Sequence, residues 1–156
     1  MKRLLCWSMI PWVLLLGACA GPVPRDGGPQ ELPLLEHWAG DYPVTALDRL
    51  PVGQRDAGVG WLDPDSFAAV WAVLQGGAVP SVDFEHQLVV FVRNTDFYNR
   101  TNIFKVKVVE GVAEVLAMET MSAIPVEERV AMALAVVPRA GITALRVGDR
   151  LVPLVD

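Results

Sequence analysis

The chain has 156 residues, the length of one ordinary domain. Apolar residues make up 53% of it and charged residues 20%, a balance that excludes an intrinsically disordered protein. Lys and Arg number 13 against 18 Asp and Glu, so the net charge of −5 gives no positive field and we expect no nucleic-acid partner. Two cysteines and two histidines leave few ligands for a metal cluster, and we predict neither a metal nor a small-molecule cofactor.

Residues 1–18 have the composition of a secretory signal peptide. Lys2 and Arg3 give a short positive start, and Leu4–Leu16 is an almost unbroken apolar run. This run is shorter than the roughly 20 residues that a membrane-spanning helix needs, so it indicates a signal that is removed.

The signal ends in Leu16-Gly17-Ala18-Cys19, which resembles the lipobox of bacterial lipoproteins. The resemblance implies cleavage between Ala18 and Cys19, diacylglycerol on the Cys19 thiol and acylation of its new amine. Ala20 stands where an Asp often holds such lipoproteins at the inner membrane, so the resemblance favours the outer membrane. The alternative is an ordinary signal peptide cut near Ala20.

Cleavage before Cys19 would leave 138 of the 156 residues and, because Lys2 and Arg3 are lost, a side-chain charge of −7. We predict a lipid-anchored tether over residues 19–33, since half of residues 20–33 is Gly or Pro and such a segment cannot bury a core. A single folded domain is expected over residues 34–156.

The clearest local pattern in this domain is a helix over residues 63–77. Asp63 can cap the helix and Pro64 suits its first turn. Apolar residues then recur at helical spacing, and Gly76-Gly77 ends the pattern. The apolar positions are Phe67, Val70, Trp71 and Leu74.

Several segments have the patterns of strands. Residues 88–92 are a β-branched apolar run, typical of a central strand buried on both faces. Residues 103–109 alternate, and the pattern predicts Phe104, Val106 and Val108 on one side with Lys105 and Lys107 on the other. Glu110-Gly111 predicts a turn that pairs this strand with residues 112–118.

One segment in the later part of the chain fits two kinds of secondary structure. Residues 125–138 fit a helix that starts near Pro125, but the compact apolar run 130–137 favours a strand. Gly148-Asp149 predicts a hairpin between residues 142–147 and 150–154. With one or two short strands expected in residues 42–62, the predicted class is α+β, an antiparallel sheet of about five or six strands with one packed helix.

No catalytic constellation is recognisable, and we predict that the protein is not an enzyme. The histidines are His37 and His86, no G-x-S-x-G motif is present, and capping explains Ser66. Asp83-Phe84-Glu85-His86 could contribute to a metal site, but no second cluster supplies further ligands. A polar lead-in to the following strand is the favoured interpretation.

Residues 94–102 are a polar stretch between two predicted strands, and the stretch contains aromatic residues and an arginine. Phe97, Tyr98 and Arg100 are residue types enriched in protein interfaces, and binding residues often lie on loops held by a rigid sheet. We take these three as candidate protein contacts. The alternative is a long hairpin loop whose aromatic residues fold back on the core.

The order of patterns over residues 63–139 resembles the C-terminal domain of the PrcB-like lipoproteins, which stabilise a protease complex. The resemblance rests on a helix with Phe67 and Trp71, a lead-in Pro80-Ser81-Val82-Asp83-Phe84 before an apolar strand, and a late strand ending in Val136-Val137-Pro138-Arg139. It differs in that residues 94–102 replace the family's glycine-rich segment. The resemblance implies an α+β module that binds protein and carries no catalytic residues.

These patterns together predict a lipid-anchored lipoprotein of the bacterial envelope. Its expected role is that of a non-catalytic module that binds or stabilises another envelope protein, with the membrane as a second partner through lipid on Cys19. A small-ligand carrier, or a periplasmic enzyme with an unrecognised site, is the alternative, which a deep apolar cavity would favour.

Overall fold

The computed structural model describes residues 28–94, 100–120 and 128–154 of the chain. The predicted signal peptide, the Ala18–Cys19 cleavage site and most of the predicted tether lie outside these residues. The described elements, in chain order, are β1 (Gln30–Leu32), β2 (Glu36–Pro43), a 3-10 helix (Val44–Arg49), α1 (Val52–Asp56), β3 (Val59–Leu62), α2 (Pro64–Leu74), β4 (Gln87–Arg93), β5 (Arg100–Val109), β6 (Val112–Thr120), β7 (Arg129–Pro138), β8 (Ala144–Val147) and β9 (Arg150–Pro153).

The described strands form two sheets, so the prediction of one sheet with five or six strands is wrong. One sheet has the strand order β1-β5-β6-β8-β9 and the other has the order β2-β7-β4-β3. Every neighbouring pair is antiparallel except β6 with β8. The predicted mixture of helix with mostly antiparallel strands is confirmed. Local patterns identify strands, but they do not assign strands to sheets.

The two sheets pack face to face around a first apolar core. The five-stranded sheet contributes Leu32, Ile103, Val106, Ala113 and Leu145. The four-stranded sheet contributes alternate residues of β4 and β7, which are Leu88, Val90, Val92, Ala133, Ala135 and Val137. Side chains of this set are at most 7% exposed, so the space between the sheets is filled.

A second core lies on the other face of the four-stranded sheet, beneath α2 and the 3-10 helix. Alternate residues of β4 and β7 face this core, namely Val89, Phe91, Val130, Met132, Leu134 and Val136. The helical layer completes it with Ala46, Leu50, Phe67, Val70 and Trp71. The molecule therefore has three layers, with the four-stranded sheet in the middle. This position explains why β4 and β7 are continuous apolar runs in an antiparallel sheet, because each of their faces is covered.

Several predicted elements are confirmed. The run 88–92 lies in β4, in the interior of its sheet, and the ambiguous run 130–137 is the strand β7. Helix α2 spans Pro64–Leu74 with Asp63 as its N-cap. Both predicted hairpins form, with Val109 opposite Val112 and Val147 opposite Arg150.

The folded domain begins earlier than the predicted boundary at residue 34. Gln30–Leu32, at the end of the predicted tether, form β1 and pair with β5, and Leu32 is buried in the first core. The Gly and Pro content of residues 20–33 concealed this short strand, since three residues give no periodic signal. Within residues 42–62 only β3 and the end of β2 are strands, and the rest is the 3-10 helix, α1 and their connections.

The predicted face of Phe104 is wrong, because a β-bulge interrupts the alternation of β5. The register of β5 with β6 shifts between Ile103 and Lys105, which leaves Phe104 as an extra residue. Ile103 and Val106 are buried on the core side of the sheet, whereas Phe104 is 62% exposed. A single inserted residue thus moves a large aromatic side chain from the core to the surface.

Candidate functional site

The cluster of Asp83, Glu85 and His86 forms a polar turn on the surface before β4. Their candidate ligand atoms lie within 4.8 Å of one another, and the three side chains are exposed. His86 donates from Nδ1 to Asp83 Oδ2 at 2.9 Å, and the Glu85 N–H donates to the other carboxylate oxygen at 3.2 Å. These hydrogen bonds, that from His86 foremost, hold the pKa of Asp83 below its usual value. Hydrogen bonding within one turn accounts for the arrangement.

The same turn borders a recess of about 470 Å³ that includes Glu85, His86, Arg139 and Thr143. The Thr143 hydroxyl donates to the Gly111 carbonyl at 3.2 Å and so is tied to the neighbouring turn. In the described ranges this recess brings together no serine or cysteine with a histidine, which is the pairing that acyl-transfer chemistry requires. At the start of α2, Ser66 donates hydrogen bonds from its backbone N–H and its hydroxyl to the Asp63 carboxylate, as its predicted role in helix capping requires.

The structure places one of the three candidate contact residues. Arg100 is exposed at the first position of β5, whereas Phe97 and Tyr98 lie outside the described residues. Since β4 ends at Arg93, the connection spans residues 94–99 and is shorter than the predicted stretch 94–102. It is not a hairpin loop, because β4 and β5 belong to different sheets. Crossing between the two layers accounts for part of its length.

Next to Arg100, the outer face of the β5–β6 hairpin carries three exposed apolar side chains. We call this set the hairpin patch, and it consists of Phe104, Leu116 and Met118, which are 62%, 41% and 56% exposed. The strand register places them together, since Leu116 lies opposite Lys105 and Met118 lies opposite Asn102. The Lys105 ammonium is 5.7 Å from the centre of the Phe104 ring.

The sequence did not reveal this patch. The alternation in residues 103–109 assigned Phe104 to the core, and residues 112–118 were simply predicted as a return strand. The bulge in β5 could have been suspected only from the adjacent apolar residues Ile103 and Phe104, which break a strict alternation.

A second surface feature is a cleft between β3 and β9, the last strands of the two sheets on the same side of the molecule. We call it the edge cleft. It has a volume of about 810 Å³, and its apolar lining includes Val59, Trp61, Phe84, Val152 and Leu154. Asp56, Asp63, Arg139 and Arg150 stand around the cleft, so its border carries both signs of charge.

Comparisons with known proteins do not extend these observations. The chain matches no protein-family model, no curated protein and no solved structure. Among the described residues, no helix combines the length and apolar character that crossing a membrane requires.

Proposed function

We propose that this protein is a lipoprotein of the bacterial envelope that binds another envelope protein without catalysing a reaction. The Leu16-Gly17-Ala18-Cys19 motif supports the anchored location, because a lipobox directs lipid to its cysteine. The resemblance of residues 63–139 to the PrcB-like module is a prediction in accord with this role. More than one acyl chain would hold the protein stably on the membrane.

The single observation that carries the binding role is the hairpin patch. Phe104, Leu116 and Met118 are large apolar side chains exposed together on one face of a two-stranded segment. Exposed single apolar residues are common, but a contiguous group beside polar residues is typical of an interaction site. A partner that covers the patch would remove these side chains from water and gain roughly 25 cal/mol for each Å² of apolar area.

Arg100 extends the same surface. It borders a recess of about 390 Å³ with Gly40 and Asp41 of β2, at the end of the molecule where β4 joins β5. Phe97 and Tyr98 belong to that connection in the sequence, so we propose that they and Arg100 complete the contact surface. Aromatic residues and arginine contribute most to binding when a partner desolvates them.

Replacing Arg100 and Phe104 together by Ala tests this proposal. Both side chains are exposed, so the melting temperature should change little, while co-purification of the partner from native membranes should weaken tenfold or more, about 1.4 kcal/mol. Val52→Ala is the matched control, because Val52 is an exposed apolar residue in the helical layer. A large fall in stability with full partner recovery would contradict the proposal.

Site-specific photo-cross-linking gives a second, independent measurement. A benzophenone side chain at position 104 should give a discrete cross-linked product in native membranes, and the same group at position 52 should not. Equal products from the two positions would show that the hairpin patch is no more a contact surface than the rest of the protein.

A further inference from the structure

We propose that the edge cleft binds an extended segment of a partner protein, which adds to β3 as a fifth strand of the four-stranded sheet. This inference deepens the proposed protein-binding role and rests on it. It concerns a different surface from the hairpin patch, between the β3 and β9 edges and not on β5 and β6, so the two can fail separately.

The composition of the edge strands distinguishes β3 from the others. Among the described strands, β1, β2, β3 and β9 end their sheets. Charged residues or proline stand in three of them, with Glu31 in β1, Asp41 and Pro43 in β2, and Arg150 and Pro153 in β9. Such residues prevent an edge from pairing with another chain. Strand β3 reads Val59-Gly60-Trp61-Leu62 and contains neither.

The backbone groups of β3 point alternately toward β4 and toward the edge of the sheet. The Arg93 N–H donates to the Gly58 carbonyl at 2.7 Å, and the register places Val59 opposite Val92. Hydrogen-bonded pairs alternate along an antiparallel ladder, so Gly60 and Leu62 direct their backbone groups toward β4. Val59 and Trp61 therefore direct theirs away from β4, to the free edge, where only another extended chain can pair with both.

The two sheets are unequal in size, with four strands in one and five in the other. Strand β3 is the last strand of its sheet and packs near β8, while the other sheet continues beyond β8 to β9. Val152 of β9 and the neighbouring Leu154 line the cleft and pack at the margin of the first core. A strand added beside β3 would lie over β9 and cover these side chains.

These constraints define the chemistry of the partner segment. It is extended, it has no proline at the positions that pair with Val59 and Trp61, and every second side chain is apolar because that set faces Val152 and Leu154. The face of β3 that carries Gly60 is open, since no atom of the described residues lies within 4 Å of where a Cβ on Gly60 would be, and a side chain of the added strand has room next to it. Main-chain hydrogen bonds would supply affinity, and the cleft would select the alternate side chains.

Selection of peptides on the purified full-length protein in detergent tests the inference. The probe is a phage-displayed library of random linear peptides of about twelve residues, and we expect selected peptides with alternating apolar residues. On binding of a selected peptide, amide exchange should slow at Val59 and Trp61 and stay unchanged at Gly60 and Leu62. Peptides N-methylated at one set of alternate residues should lose binding at least tenfold, and those methylated at the other set should retain it.

Variants of the protein provide matched controls. Gly60→Lys places a charge on the edge and should weaken peptide binding at least tenfold, whereas Gly60→Thr adds a Cβ without charge and should bind as the unchanged protein does. Leu151→Lys adds the same charge to the exposed side of β9 and should also leave binding intact. If Gly60→Lys fails to fold, the methylated peptides still decide the question.

Any one of four results would overturn the inference. The first is a selection that yields no peptide above the background of a blank surface, and the second is binding of the selected peptides to Gly60→Lys without loss. Slow exchange at Val59 and Trp61 before any peptide is added, or a dimer that Gly60→Lys separates, would show that the chain itself or a second copy occupies the edge. In each case the cross-links expected at position 104 are unaffected, so this failure is distinguishable from failure of the proposed function.

Discussion

At the scale of single residues, the Asp63 carboxylate shows how much one side chain contributes to a helix start. One oxygen accepts a hydrogen bond from the Ser66 N–H and the other accepts from the Ser66 hydroxyl, both at 2.8 Å. These two hydrogen bonds favour the ionised form and hold the pKa of Asp63 below its usual value. The negative charge also interacts favourably with the positive end of the helix dipole.

We predict that Asp63→Ala destabilises the fold by about 0.5–2 kcal/mol, the range measured for helix caps. Asp63→Asn keeps a capping oxygen but cannot ionise. Because the pKa of Asp63 is lowered on folding, its charge contributes stability above the unfolded pKa of about 3.9, and this contribution is lost as pH falls through the lower folded value.

Urea unfolding followed by circular dichroism measures the difference. The unchanged protein should exceed Asp63→Asn in stability at pH 7, by a small amount because the group is exposed, and this difference should shrink as the pH falls below about 3.9. A difference that stays constant between these pH values would exclude a contribution from the Asp63 charge.

Asp63 and Phe104 show which properties of a single side chain can be predicted from sequence and which cannot. The cap could be predicted because all its partners lie within four residues of sequence. The exposure of Phe104 depends on where β6 shifts its register against β5, which is a property of two strands together. Alternation within one strand therefore assigned this side chain to the wrong face.

At the scale of elements, the turn between β5 and β6 has a residue poorly suited to its conformation. Glu110 and Gly111 are the two residues of the loop, and both have positive φ, 51° and 82°. Two positive φ values define the turn that most favours Asn-Gly in hairpins. Glycine adopts such a conformation freely, whereas Glu110 is strained there.

We predict that Glu110→Asn stabilises the protein by up to about 1 kcal/mol, since Asn tolerates positive φ better than Glu does. Gly111→Ala should act in the opposite direction, because its Cβ would lie 2.9 Å from the Thr143 hydroxyl oxygen in addition to the backbone strain. Thermal unfolding of the two variants checks both signs. A lower melting temperature for Glu110→Asn would contradict the assignment of the turn.

Turns and long apolar runs are the elements that local patterns predict best. Gly148-Asp149 marked the β8–β9 hairpin because a two-residue loop constrains its own sequence. Strand β1 was missed, because its three residues are held in place by β5, far away in the chain. The edge cleft was likewise missed, since β3 and β9 lie about ninety residues apart and meet only through the packing of two sheets.

At the scale of the whole molecule, the sheet order separates the chain entry from the edge cleft. Strand β1 ends the five-stranded sheet at one side and β9 ends it at the other. Four strand spacings separate them, roughly 19 Å. A lipid on Cys19 would therefore attach the domain through the β1 side, and the cleft would open on the opposite side of the sheet.

This attachment depends on the thiol of Cys19. Cys19→Ser should abolish lipidation and release the protein from the membrane fraction, because serine offers no thiol to the diacylglycerol transfer that the lipobox implies. Cys6→Ser is the matched control, since Cys6 lies within the predicted signal peptide and should be removed with it. Fractionation of cells, together with the intact mass of the purified protein, gives the result directly: lipid mass and membrane location lost for Cys19→Ser and kept for Cys6→Ser. If Cys19→Ser stays in the membrane fraction and matures normally, Leu16-Gly17-Ala18-Cys19 does not act as a lipobox. A lipid anchor would then not explain how the binding surfaces reach an envelope partner.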